Sequence, residues 1–354
     1  MHPVTSKMAN IHIGTTPCKG GSMKVFVISF LALFFGACST MQERRPAASI
    51  LVDLDPASAD RTVIVESITA DKQGRLYLPD RVTGNILRVF PPSPNPVVAV
   101  GRIESREIKG KKVNADPSGI AFNQEGDLFI AVGPFSEVVR IRGAELNPQK
   151  PGLAQTFVTG VPGANGIAFD RSGNLFISGG GSGIVYRVGP KGGAAEAAVQ
   201  IEKHTRTLAD GKTQQATVAN GVEFDRDGVL HVADTARGSV WKVAIGPGGK
   251  GGKPSLLAQS PLLEGADGLA FDKGGNLLVA VNERNALITV TPSGAVREVA
   301  KNNSQGPLEF PAAIVFVGDT AYIANYDTPR GDNLDTNGKT ALDGIGASIA
   351  QITP

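Results

Sequence analysis

One pattern recurs six times along this 354-residue chain, and internal repetition constrains a fold more than any local propensity does. Each copy opens on a small or polar residue and continues as a short apolar strand of the form Gly-apolar-x-Phe. It then turns at Asp-x-x-Gly and enters a second apolar strand. The copies read ESITADKQGRLYL from Glu66, SGIAFNQEGDLFI from Ser118 and NGIAFDRSGNLFI from Asn165. They continue as NGVEFDRDGVLHV from Asn220, DGLAFDKGGNLLV from Asp267 and a degenerate AAIVFVGDTAYI from Ala312. Their starts lie 52, 47, 55, 47 and 45 residues apart. A third strand follows each copy: GNILRV from Gly84, SEVVRI from Ser136, GIVYRV from Gly183, GSVWKV from Gly238, ALITV from Ala286 and SIAQI from Ser348. Fourth apolar runs, such as 96–100, 155–159 and 254–257, precede the next copy.

Four strands in each of six such units predict an all-β, six-bladed propeller with four-stranded blades. The 44 glycines and 23 prolines fit a chain of many tight turns. No stretch past the N-terminal segment sustains a 3.6-residue period, which argues against a helical solenoid. The sixth copy reaches its third strand at Ile352 and lacks a fourth. An apolar run at 49–54 (SILVDL) precedes the first copy with nothing to pair with. Pairing the two closes the ring and removes two open sheet edges, so the propeller domain is expected over 48–354.

The N-terminal segment has a different character. Met23-Lys24 opens an apolar run, Val25 to Gly36, that ends in Ala37-Cys38-Ser39. A basic start, a short apolar stretch and small residues before a cysteine resemble a bacterial lipoprotein signal over 1–38, with Met23 as the expected start and 39–47 as a linker. The expectation is a lipidated Cys38 and a periplasm-facing or extracellular protein held at the cell envelope, in the outer membrane, by its lipid alone; an ordinary secretory signal with an incidental cysteine, and a secreted protein, is the alternative. Removing the signal takes away Lys7, Lys19 and Lys24 and no acid, so 32 basic and 33 acidic residues remain. That balance argues against a nucleic-acid partner. The ring is expected to act as a monomer on a small-molecule substrate.

The same subtraction leaves His204 and His231 as the domain's histidines and no cysteine beyond Cys38. Disulfides, Cys-ligated zinc and three-histidine zinc sites are excluded, so a metal here must be held mainly by oxygen. In a propeller the residue opening the first strand of each blade points into the channel mouth. Those residues are Glu66, Ser118, Asn165, Asn220, Asp267 and Ala312. Two carboxylates and two amides converging there would suit a hard divalent cation such as Ca²⁺. Asn or Asp before Gly is also ordinary turn chemistry, so the pattern has a plain structural explanation as well. The residues ending second strands, Asp80, Asp234, Asn282 and Asn325, should rim the same face beside Ser118. Glu223 stands where other copies mostly carry Ala or Thr, as a candidate second acid near the channel. His231 is read as packed between blades, and His204 as solvated in the long 202–219 connection.

At the segments VES, GANG, VANG and GADG the chain resembles the SMP-30/gluconolactonase/luciferin-regenerating-enzyme family and the related diisopropylfluorophosphatase-type propellers. The resemblance implies a divalent cation held by Glu66, Asn165, Asn220 and Asp267, with Ca²⁺ foremost and Zn²⁺, Mn²⁺ or Mg²⁺ as alternatives. It also implies hydrolysis of a small lactone, ester or phosphoester, with Asp267 as general base or nucleophile. Gluconolactonase-like members carry an Arg two residues before the third-blade Asn and an Asp just after it, where this chain has Gly163 and Gly166. A sugar lactone is therefore not implied. The turns equally resemble those of NHL-type propellers, many of which bind proteins without catalysis. A strictosidine-synthase-like or streptogramin-lyase-like enzyme is a third reading.

Other motifs carry less. Gly246-x-Gly248-x-x-Gly251 matches a dinucleotide fingerprint, but no helix follows it. Asn333-x-Asp335-x-Asn337-Gly338 resembles the start of a calcium loop, yet its twelfth position is Gly344. The plainer reading of 328–346 is a polar insertion on the site face, placed to cover it.

Overall fold

The computed structural model describes residues 47–55, 61–207, 211–328 and 346–354. Cys38, Met23 and the motif at 333–338 lie outside the described residues. Six antiparallel sheets form, one per repeat. Blade 1 runs Thr69–Ala70, Leu76–Pro79, Asn85–Val89 and Val98–Arg102 from the inside outward. Blades 2 to 5 repeat this order from Ile120–Phe122, Ile167–Phe169, Val222–Phe224 and Ala266–Phe271. Each innermost strand contacts the next around a closed circle.

Blade 6 is completed as the sequence predicts. Ser49–Asp53 pairs antiparallel with Ser348–Ile352, outside Thr320–Asn325 and Pro311–Val317. Two short parallel additions were not legible: Gly152–Leu153 on the outer strand of blade 1, and Gly193–Ala194 on that of blade 2. Both cover exposed edges with backbone from the next blade, between its third and fourth strands. The 101–117 and 202–219 connections each fold into a small hairpin, Arg106–Ile108 with Lys111–Val113 and Thr205–Thr207 with Thr213–Gln215. Among the described residues, no helix is long and apolar enough to cross a membrane.

The turn signature has a local cause. Asp170 Oδ1 accepts from the backbone N–H groups of Ser172 and Asn174, both at 2.8 Å, and Gly173 completes the turn at φ +78°. Asp225 does the same for Asp227 and Val229, with Gly228 at φ +81°. A carboxylate holding two amides, followed by the residue that tolerates positive φ, fixes these hairpins.

The core lies between blades. Six apolar clusters occupy the six blade interfaces. The repeat's Phe is the recurring contact, receiving an aromatic edge from the preceding blade. The pairs are Tyr77–Phe122 at 4.9 Å, Phe129–Phe169 at 5.0 Å and Phe176–Phe224 at 5.1 Å between centroids. His231 takes this slot against Phe271 at 5.0 Å, and burial lowers its pKa. It is an interblade packing residue, as read from the sequence.

Candidate functional site

The residues opening the inner strands come together through their backbones. Gly119 N–H donates to the Asn165 carbonyl at 3.0 Å. A Cβ on Gly166 would stand 2.6 Å from the Asn220 carbonyl, and one on Gly221 would stand 2.2 Å from that of Asp267. A Cβ on Gly268 would stand 2.5 Å from that of Ala312. Asn165, Asn220, Asp267 and Ala312 therefore follow one another around the ring, each abutting the glycine of the blade before. None of these four glycines has positive φ. They serve close strand approach rather than turn geometry.

Asp267 is buried and accepts one hydrogen bond, from Asn282 Nδ2 at 3.1 Å. Burial pushes its carboxyl up to about 7, against the lowering effects of that bond and of the nearby Arg81 charge. Asn220 is buried too. Its Nδ2 donates to Thr235 Oγ1 at 3.0 Å, and Thr235 donates onward to the Ala266 carbonyl at 2.7 Å. The amide is thus fixed with Oδ1 buried and without a hydrogen-bond partner. Glu66 is ion-paired with Arg81, whose Nε also donates to Asp116 at 2.6 Å. The Arg81 guanidinium lies over the Tyr326 ring, 5.5 Å from its centroid.

Other candidates are engaged in holding the fold. Ser118 Oγ donates to the Ala164 carbonyl at 3.2 Å, tying blade 2 to blade 3. Asp80 accepts from Ile64 N, Val82 N and Thr83 Oγ1, which clamps the turn after the second strand to the segment entering Glu66. Asp234 accepts from Arg237 N and Nη1 and from Trp241 Nε1. Asn325 bonds Glu309 N, the Pro307 carbonyl and Ser348 Oγ. Among the second-strand residues, Asn282 is the one that touches an inner-strand carboxylate.

Two cavities adjoin the site. The larger, about 890 Å³, is walled by His204, Arg206, Gln214 and Gln215 of the 202–219 connection and by the loops of blades 4 and 5. It includes Thr235, which holds the Asn220 amide, and Gly265, whose carbonyl accepts from the backbone N–H of Asn282. The second, about 310 Å³, is the channel below the glycine ring. Its wall holds one ionisable side chain, Glu223, amid residues such as Ile68, Ile120, Ile167 and Leu269. Burial pushes the Glu223 carboxyl up to about 7, although it accepts a hydrogen bond from Phe224 N at 2.9 Å.

The SMP-30/gluconolactonase/LRE-like family profile matches residues 64–325, spanning all six inner strands. The chain belongs to this family. A solved luciferin-regenerating enzyme aligns at TM-score 0.58 and 16% identity, over 87% of this chain and 95% of that one. A gluconolactonase from Xanthomonas campestris aligns at TM-score 0.57 and 15% identity, over 87% and 96%. A virginiamycin B lyase from Staphylococcus aureus aligns at TM-score 0.52 and 12% identity, over 87% and 99%. At such identities these likenesses establish the propeller alone. A comparison with curated proteins found no match.

Within the family frame, the residue that sequence reasoning missed is Arg81. It follows Asp80 in a turn, outside the repeated positions, and no spacing signal marks it. Thr235 was missed for the same reason: it adjoins Asp234, in a tetrad common among propellers.

Proposed function

We propose that this protein is an exported, cation-dependent hydrolase of a small lactone, ester or phosphoester, working at the channel mouth. The observation that carries the proposal is a buried acceptor without a hydrogen-bond partner, Asn220 Oδ1, on the blade before Asp267, itself a buried carboxyl that accepts one hydrogen bond. Burial raises the Asp267 carboxyl to about 7 for want of a compensating charge, and a bound cation would supply that charge and lower it again. Family membership supports the lactonase-like class.

The donors fit a hard divalent cation. All four are oxygen, two are carboxylates, and one buried acceptor lacks a donor. Among the described residues no group of three or more His, Cys, Asp or Glu side chains could hold a metal, so amide oxygens and water must complete the shell. Glu66, Asn165, Asn220 and Asp267 would hold it, and a bound cation would supply charge stabilisation for the oxyanion that develops during acyl or phosphoryl transfer. Asn282 orients the Asp267 carboxylate, and Thr235 orients the Asn220 amide. As the family resemblance implies, Asp267 would act as general base or nucleophile at the reacting centre, and the 890 Å³ cavity would receive the body of the substrate. Export rests on the signal-like segment ending at Cys38.

A second reading, a streptogramin-lyase-like enzyme, is favoured by one observation: Glu223 is the lone ionisable group in its channel. Turnover of a lactone and arylester panel, with bound metal measured alongside, tests the proposal. Asp267→Asn should abolish hydrolysis while Glu223→Gln retains it. Wild type with neither a bound cation nor hydrolysis overturns the leading reading, and loss of activity in Glu223→Gln alone points to the lyase.

A further inference from the structure

The channel mouth already contains a cation of its own. Arg81 launches from a fixed backbone: its N–H donates to the Ile64 carbonyl at 2.8 Å, and the neighbouring Asp80 carboxylate binds the amides of Ile64 and Val82. Three contacts then hold the guanidinium: Glu66 Oε2, Asp116 Oδ1 and the Tyr326 ring. Its charge also reaches Asp267. Apart from Arg81, Glu66 Oε2 is buried without a hydrogen-bond donor. A carboxylate oxygen that a divalent cation would take is therefore already claimed.

We infer that Arg81 is a built-in competitor for Glu66, holding the carboxylate that a divalent cation at the channel mouth would bind and thereby setting how tightly that cation is held. The inference rests on the cation reading above. A divalent ion shared by Glu66 and Asp267 sits within the field of a like charge, and it must draw Glu66 away from the guanidinium. Arginine stays charged at all accessible pH, so the competition is permanent and is not a pH switch. Asp116 and Tyr326 give the guanidinium an alternative berth, so Glu66 can be yielded without leaving Arg81 unpaired. Arg81 is in this sense a positioning residue, acting through Glu66.

Isothermal titration of Ca²⁺ into the chelator-stripped full chain tests this. Removing a positive charge a few ångströms from a divalent site, at an effective protein dielectric of about 20, is expected to tighten binding by about tenfold or more in Arg81→Gln. Arg81→Lys keeps the charge and should stay near wild type. On wild type itself, the Arg81 Nε–H signal, followed by side-chain NMR, should shift in step with Ca²⁺ occupancy; this arm needs no folded variant. Equal or weaker binding by Arg81→Gln, or an Arg81 signal that does not move at saturation, overturns the competition while the cation reading stands. No Ca²⁺ binding by wild type or by Arg81→Gln overturns both.

Discussion

Glu223→Gln should make the protein more stable at pH 8 and leave it nearly unchanged at pH 4. The carboxyl is carried by Val222–Phe224 into a channel whose other lining residues are uncharged. Burial is the leading cause of its rise from the ordinary 4.5 to about 7, opposed by the single bond from Phe224 N. The sign follows from linkage: a carboxyl whose folded pKa is raised imposes no penalty below about pH 4.5. It imposes a growing penalty between 4.5 and 7, and the full one above about 7. At 1.36 kcal/mol per pH unit the full effect is about 3 kcal/mol. Glu223 is only half-buried and its cavity admits water, so about 1–2 kcal/mol is expected. Urea unfolding of both proteins at pH 4, 5, 6, 7 and 8 reads this directly. The midpoints should nearly coincide at pH 4 and diverge with rising pH, the variant unfolding later. A gap independent of pH, or a variant less stable at pH 8, would refute the placement of this carboxyl in a desolvating channel.

Asp267→Asn should retain the fold, with a melting temperature at or above that of wild type near pH 8, because it removes a buried charge that Asn282 only partly compensates; thermal melts beside activity assays check this. Gly221→Ala forces a Cβ to 2.2 Å from the Asp267 carbonyl and should cost about 1–3 kcal/mol by denaturant unfolding, with turnover falling as Asp267 shifts. His231→Phe should be neutral or stabilising in melts and leave activity unchanged, since aromatic rings fill that slot in three other blades. Removing Ser49–Asp53 should lower the melting temperature sharply and promote self-association, because it exposes the outer edge of Ser348–Ile352.

The fold was legible because each repeat carries its own instructions: Asp and Gly make the hairpin, apolar alternation makes the blade, and one Phe makes the interface. Ring closure was legible because a missing strand at one end matched a spare one at the other. The parallel additions at Gly152–Leu153 and Gly193–Ala194 were not, because two residues of backbone pairing leave no side-chain pattern. Arg81 was not legible either. A side chain that crosses from a turn to a neighbouring strand's Glu66 obeys no period, and its partners Asp116 and Tyr326 come from the second-blade connection and the end of blade 6.

The Asn-Gly and Asp-Gly pairs show how the structure can replace the reason a sequence suggests for a residue. On the page they look like turns, which would make their polar side chains incidental. In the structure these glycines keep negative φ and lie against the next blade's backbone, where a Cβ would meet a carbonyl at 2.2–2.6 Å. The glycine is explained by packing, and the turn explanation for the Asn or Asp before it falls away. Ser118 and Ala312 stand at the same positions without a turn residue, yet Gly119 after the one and the carbonyl of the other make the same close approach. What the ring geometry demands is the glycine or another small contact; it makes no demand for an acid or amide ahead of it. Asn220 is held by Thr235 with its oxygen unpartnered, and Asp267 is held by Asn282 at a raised pKa. Packing does not explain these two side chains; the cation proposed for the channel mouth would.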